Sequence, residues 1–436
     1  MGMTDTEGAS ASLSVRQAAF IGVGAMVGAG IFALLGAAGE VAGSAVWISF
    51  LLAGVVAMLQ GYSFAKFGAR YPTSGGMLEY VERGFGTGHV TGVIGWLLLA
   101  VNSIITAMVA VSFGSYAGEA FADGGQAWTK IFAVLVILVM TVLNVAGSQA
   151  VARVQTIVVV VVIGILTIFA VSTLLNMDPD LLAFSGYPPF KDIVSSVALT
   201  FFAFLGFGVI TFTAKDLANP ARELPRAVFL ALGIATVVYV AVALGVFGTL
   251  TVDEVIESGG TALAVAAEPT LGNAGYWMMS VTALFATAGA TNAGLYPAAG
   301  LCEQMAERRQ FPPALGRAVA DRAPAGLVIT ALAAIALSVG FDLNAIASLG
   351  SAVALVVFAL VTSGHMRVRK ETGAQAWVLV LAIVTTVTVL VAFAVTTLVD
   401  EPVTAVAIVV ILLLCIALDL LWKRSRDSAD AAHSPR

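Results

Sequence analysis

Apolar residues run through this chain in long blocks, and short polar stretches separate them. A helix needs roughly 20 apolar residues to cross a bilayer. Twelve blocks meet that need, at about residues 17–39, 44–65, 90–118, 130–147, 154–175, 193–212, 226–250, 273–300, 325–341, 345–364, 375–398 and 402–422. The pattern predicts an all-α integral membrane protein with twelve transmembrane helices. The division is least marked where only Phe341-Asp342-Leu343-Asn344 separates the ninth block from the tenth.

The basic residues test this count. With twelve spans, both tails and the even-numbered connections share one side. Every Lys and Arg except Lys130 and Lys191 then falls on that side. The opposite connections carry Glu119, Asp123, Asp178, Asp180, Asp253, Glu254, Glu257, Asp400 and Glu401. Basic loops face the cytoplasm, so both termini are expected there, in a multi-pass protein of the plasma or inner membrane. Composition agrees: 59% of residues are hydrophobic and 11% charged, against about 25% charged in soluble domains.

Chemistry-bearing residues are sparse. Cys302 and Cys415 are isolated, and His89, His365 and His433 are scattered, so neither a disulfide framework nor a metal or cofactor site is expected. No Gly-x-x-x-x-Gly-Lys-Ser/Thr run is present for a nucleotide-driven pump. No intramembrane carboxylate pair or His-Glu cluster points to an enzyme. The first block is long enough to span and lacks a cleavage site, so no cleavable leader is expected.

The first block contains Gly22, Gly24, Gly28 and Gly30 with Ala25 and Ala29. An interior glycine costs a helix roughly 1 kcal/mol relative to alanine. Irregular backbone at membrane depth persists only where it is buried in protein or lines a cavity. The sixth block carries Gly206 and Gly208 at mid-span. Five spans separate the two blocks, so they enter the membrane from opposite sides. Glycine-interrupted helices in corresponding positions of two halves point to a transporter's binding site. Close helix packing is the other reading of these glycines. A break offers N–H groups at one half-helix and C=O groups at the other, which suit a carboxylate and an ammonium. That pair of ends matches a zwitterion such as an α-amino acid. Between residues 17 and 212 no span has an ionisable side chain near its centre.

Several motifs resemble the amino acid–polyamine–organocation permeases. Gly24-Ala-Met-Val-Gly-Ala-Gly-Ile-Phe32 is similar to that family's first-helix signature. Tyr71-Pro-Thr-Ser-Gly-Gly76, Glu79-Tyr80-Val81 and Gly84-Phe85-Gly86 resemble its first cytoplasmic loop. Phe202-Ala-Phe-Leu-Gly-Phe207 resembles its sixth-helix break, Asn219-Pro220 with Leu224-Pro-Arg-Ala227 the loop that follows, and Met305-Ala306 with Phe311-Pro312 the end of its eighth helix. The resemblance covers residues 15 to about 425. It implies a five-plus-five inverted repeat of the LeuT-like kind, with helices 1 and 6 discontinuous and two extra helices. The parts would be a tail at 1–14, a single transporter domain at 15–425 and a tail at 426–436. Within the domain, repeat one would span about 15–175, repeat two about 190–366 and the extra helices about 374–424.

Carried over by position, the resemblance implies a substrate carboxylate on the backbone N–H groups near Gly28, Ala29 and Gly30. It implies an ammonium on the carbonyls near Met26 and Val27 and of Phe202, Ala203 and Leu205. Phe202 would be an aromatic gate, and Gly206, Phe207 and Gly208 would shape the side-chain pocket. Asn102 is a candidate substrate contact or an interhelical hydrogen bond, as is Ser103. Thr287 and Thr291 carry a sodium-site hypothesis, and Asn292 poses the same question as Asn102. Some members have a lysine in the fifth helix where Val162 stands here, which puts a lysine-based proton mechanism in doubt. Others have an acid after the sixth-helix break, where this chain has Gly208 and Val209. A cationic substrate would want a carboxylate at that depth, so a neutral amino acid is favoured. Gly300-Leu301-Cys302-Glu303 departs from a family arginine. Proton symport, sodium symport, exchange and uniport stay open. So do an amine exchanger, a polyamine or organocation transporter and a non-transporting sensor or channel. The expected partners are a small-molecule substrate and the bilayer, without nucleic acid.

Overall fold

The computed structural model describes residues 13–28, 30–72, 76–146, 149–319 and 323–433. Ala29, the Thr73-Ser74-Gly75 part of the loop motif and most of the N-terminal tail lie outside them.

The first predicted span is α1 (Val15–Val27), α2 (Gly30–Ala33) and α3 (Leu35–Ala42). Ser14 opens α1 with a capping box: its hydroxyl accepts from the Gln17 N–H at 3.3 Å, and the Gln17 side chain accepts from the Ser14 N–H at 2.9 Å. The backbone stays helical at Leu34, and Leu34 and Ala38 donate to Gly30 and Leu34 at 3.1 and 2.8 Å. Among the described residues, α1 therefore ends at Val27, and α2 and α3 continue from Gly30 through a backbone that stays helical. The span stops at Gly43, whose φ of 52° suits glycine.

The second span is α4 (Val46–Arg70), followed by a short amphipathic α5 (Gly76–Phe85) on the basic side. Then come α6 (His89–Phe121), α7 (Gln126–Ala146) and α8 (Gln149–Leu175). The sixth span is α9 (Phe190–Phe202) continued by a 3-10 helix at Leu205–Asp216. It is followed by α10 (Pro220–Phe247), a short α11 (Val252–Ser258) and α12 (Ala262–Glu307), which bends at Gly272 with φ 66°. The chain ends with α13 (Ala325–Gly340), α14 (Leu343–Thr372), α15 (Ala376–Asp400) and α16 (Pro402–His433). Among the described residues, ten helical stretches are long and apolar enough to cross a membrane. The predicted eighth and ninth spans fall on the later part of the 46-residue α12 and on α13, which has 16 residues.

The core gathers around α1, the 3-10 segment, α4, α6, α9, α10 and α14, where most side chains are fully buried. Val387, Val391 and Val395 on α15 and Val406, Val410 and Leu413 on α16 are exposed and apolar, as a lipid-facing surface requires. Several polar groups buried between helices pair across them. Gln60 donates to Thr386 Oγ1 at 2.7 Å and accepts from Thr362 Oγ1 at 2.5 Å, which ties α4 to α15 and α14. Asp419 on α16 meets Lys423 at 2.8 Å and His89 Nδ1 at 2.6 Å, and Lys423 donates to the Gly88 carbonyl. Gly84 lets α5 lie directly on α14: a Cβ there would stand 2.7 Å from the Gly364 backbone.

The motif at the end of the eighth span has a packing explanation. Phe311 stacks on Trp96 at 4.0 Å, and a Cβ at Gly95 would strike the Met305 Cε at 2.0 Å. The departure at Gly300–Glu303 has no explanation in the structure.

Gly84→Ala should lower thermal stability in detergent, because overpacking against backbone costs about 1–3 kcal/mol. Gly300→Ala meets nothing within 4 Å and sits in a helix, so it should leave the melting temperature unchanged or raise it. Equal losses in both variants would contradict the packing described for α5.

Candidate functional site

The two interrupted helices meet at their interruptions. The second break stands at Ala203 and Phe204, just ahead of the glycine pair marked in the sequence. There the Ala203, Phe204 and Phe207 N–H groups bond three residues back, to Thr200, Phe201 and Phe204, at 3.1, 2.9 and 3.0 Å. Bonds of that spacing wind the backbone tightly, and 3-10 runs beyond three or four residues are uncommon. This one has 12 residues. Among the described residues, the Phe202 carbonyl and the N–H groups of Leu205 and Gly206 have no backbone partner. Leu205 opens the 3-10 segment, so its carbonyl turns into that segment's own ladder and its open group is the N–H.

Glycines let the two breaks touch. A Cβ at Gly30 would lie 2.1 Å from Ala203 Cβ. One at Gly206 would lie 2.5 Å from the Ala25 carbonyl oxygen and 2.6 Å from the Met26 nitrogen. Gly28 faces α12, where its Cβ would stand 3.0 Å from the Ala286 carbonyl. Gly24 faces Val159 of α8 at 2.5 Å, one turn before the buried Val162. The glycines therefore serve close packing and interruption together. Met26, Val27, Phe202, Ala203 and Phe207 are buried at this junction. The basic-side ends of the same two helices are also joined, since the Leu13 N–H donates to the Asp216 carbonyl at 2.8 Å.

Other expected contacts separate into two groups. Phe202 lies over α14: a Cβ at Gly350 would strike its ring at 2.2 Å and Ile104 of α6 at 2.9 Å. The ring thus sits between α9, α14 and α6. Asn102 is partly exposed on α6, and its carbonyl accepts from Thr106 at 2.8 Å. Ser103 bonds back to the Leu99 carbonyl at 3.0 Å. Asn292 makes an interhelical bond, accepting from Asn144 Nδ2 at 2.6 Å. Thr287 and Thr291 are fully buried and donate to Ala283 and Thr287 carbonyls at 2.6 and 2.8 Å, so each hydroxyl keeps only its acceptor side open.

Three features had no clear signal in the sequence. Tyr239 of α10 is fully buried and donates to the Ala203 carbonyl at 3.1 Å, capping the second break. That carbonyl keeps one lone pair for another donor. Beyond the break, toward the basic side, Phe207 packs edge-on to Phe64 at 5.3 Å, and Phe64 stacks on Phe358 at 5.2 Å. Phe67 stacks on Tyr80 at 4.7 Å. These buried rings from four helical segments form a plug. At its mouth Arg308 bonds Glu79 at 2.9 Å and pairs with Glu82, which clasps α5 to the end of α12. In the sequence Phe64, Phe67 and Phe358 look like ordinary core residues, and the clasp joins residues more than two hundred positions apart.

Gly206→Ala should destabilise the protein and Gly208→Ala should be tolerated, because a Cβ at Gly208 meets only Met77 Cε at 3.8 Å. Comparable melting temperatures for the two would refute the close approach of the breaks. The clasp has a pH signature as well. Burial pushes the Glu79 carboxyl up, but Arg308 and Arg83 outweigh it and hold it below the ordinary range. Its contribution is therefore complete above the unfolded value of about 4.3 and is lost as pH falls through the lower folded value. Thermal melts of wild type and Glu79→Gln should differ at neutral pH and converge below about pH 4.

Comparison with known proteins follows the same lines. The amino acid permease family matches residues 13–418. The chain is similar to the inner membrane transport protein YbaT of Escherichia coli, 31% identical over 395 residues, covering 90% of this chain and 92% of that one. It is similar to the serine/threonine exchanger SteT of Bacillus subtilis, 24% identical over 314 residues and 71% of each chain. It is also similar to the branched-chain amino acid permease BcaP of the same species, 26% identical over 241 residues and 51% of each. With interrupted helices packed at their breaks and this match over nearly its whole length, the chain belongs to the amino acid permeases of the amino acid–polyamine–organocation superfamily, a family of membrane transporters.

Proposed function

We propose that this protein is a secondary transporter of neutral amino acids and works by alternating access around the two helix breaks. Twelve spans arranged as a five-plus-five inverted repeat with two extra helices, and both termini in the cytoplasm, make the frame of this reading. The contact of the breaks carries it: Gly30 against Ala203, and Gly206 against Ala25 and Met26. Two interruptions that meet at membrane depth place half-helix N–H ends and C=O ends in one locus, where a zwitterion finds complements for both charges. The open N–H groups at Leu205 and Gly206 and the open Phe202 carbonyl support this use.

A neutral side chain is favoured because the junction is lined by Met26, Val27, Ala203 and Phe207, with no ionisable group among them. An unpaired charge at such depth costs several kcal/mol. Relatives named for serine and threonine or for branched-chain amino acids fit that preference. Exchange is the second mode retained, since one of those relatives is an exchanger. The driving ion is left to experiment.

Purified protein in liposomes should take up or exchange a labelled neutral amino acid, and imposed pH and sodium gradients will identify the coupling. A full panel of amino acids and amines giving no uptake, exchange or thermal stabilisation would overturn the reading. Gly28→Leu should insert normally yet lose substrate binding, because its side chain would project onto the Ala286 carbonyl and Ala290. Unchanged binding by that variant would move the site elsewhere.

A further inference from the structure

His365 is a fully buried imidazole that the transport reading does not use. It lies on α14 toward the basic end, and both ring nitrogens have a partner. Nδ1 is 2.8 Å from Ser63 Oγ of α4, and Nε2 is 2.8 Å from Thr372 Oγ1. Thr372 in turn donates to the Arg369 carbonyl at 3.1 Å, so toward the ring it acts as an acceptor. The pattern assigns the neutral tautomer with hydrogen on Nε2, while Ser63 donates to Nδ1. A second proton fits without new partners. Nδ1–H would donate to Ser63 Oγ, whose own hydrogen turns to a carbonyl one turn back, as serines in helices commonly do.

The ring also belongs to the plug. It stacks on Phe67 at 4.0 Å, and Phe67 stacks on Tyr80. The charges on the elements packed against it are mainly basic. On α4 they are Lys66 and Arg70; Lys66 is the charge that acts on the ring. On α5 they are Glu79, Glu82 and Arg83, with both carboxylates engaged by Arg308. On α14 itself they are Arg367, Arg369, Lys370 and Glu371, and Glu371 accepts from the Tyr71 hydroxyl at 2.5 Å. The first turns of α15, beginning at Ala376, add none. An imidazolium in the closed plug would be desolvated beside Lys66 with no carboxylate bonded to it. Once the rings part and water enters, that penalty falls.

We infer that His365 is a proton-binding site whose occupancy is linked to opening of the plug on the cytoplasmic side. The orientation of the plug rests on the transporter reading above. Proton binding favours whichever state holds the proton better, so acid at the cytoplasmic face shifts the closed plug toward open.

The test is labelling of Ala214→Cys in the full-length protein, because Ala214 is buried in the 3-10 segment that carries Phe207 of the plug. An impermeant maleimide is applied in lipid nanodiscs between pH 7.5 and 5.5. The same cysteine in a His365→Gln background corrects for the thiol's own pH dependence, and glutamine keeps one donor and one acceptor. Relative to that background, labelling should rise about threefold or more as pH falls from 7.5 to 5.5. The same pH dependence in both backgrounds would overturn the assignment. If His365→Gln does not fold, Ser63→Ala replaces it and should blunt the rise, and a full rise there would also overturn it. Exchange of labelled neutral amino acids at pH 7.5 by both proteins is measured separately. Its absence would count against the transport reading, while the labelling result still decides the proton site.

Discussion

Backbone groups released by a broken helix in an apolar bundle must find partners, because the bilayer core offers no water to replace them. That requirement organises this molecule. The Ala203 carbonyl is met by the Tyr239 hydroxyl, and i to i−3 bonds tighten the turn from Thr200 to Phe207. The groups left over at Phe202, Leu205 and Gly206 gather at the contact with α1. Only glycine at positions 30 and 206 permits that contact, since any side chain there would force the helices apart. The unsatisfied groups and the glycines are thus two sides of one constraint.

Closure on the two sides of this junction relies on different physics. Toward the acidic side, Phe202 fills the notch left by Gly350, and Asn344 bonds both carboxylate oxygens of Glu40 at 2.8 Å at the rim. Toward the basic side, a thicker layer of stacked rings lies beneath the break, with the Arg308 clasp outside it. Each stacked or edge-on pair adds to the burial of its rings, so the layer holds four helical segments together through several contacts. A single ring over a glycine can swing alone.

The frame was legible in the sequence because a bilayer reduces folding to two strong signals. Blocks of about 20 apolar residues mark the ten long apolar helices among the described residues, and the separation of Lys and Arg is the signal that predicts their alternation. The unusual glycines at 22–30 and at 206–208 also marked the junction correctly. The glycine pair alone pointed a little past the second break, whereas the resemblance motif Phe202–Phe207 spans Ala203 and Phe204, where the break stands. Tyr239, Gly350 and His365 were illegible. Each matters through a partner on another helix, and nothing in a local pattern of apolar residues records which helices become neighbours. Asn292 shows the converse: its position invited a functional reading, and its partner is Asn144.

The segment from Leu205 to Asp216 has one more property. A 3-10 helix rises about 2.0 Å per residue and an α-helix about 1.5 Å. Over its 12 residues the segment is therefore about 6 Å longer than the same sequence wound as α-helix. Its lower end is anchored to Leu13 ahead of α1, and its upper end begins at the break. A change of winding alone would draw those anchors together by more than one α-helical turn. The length of this half of the span is thus set by which carbonyl each N–H selects.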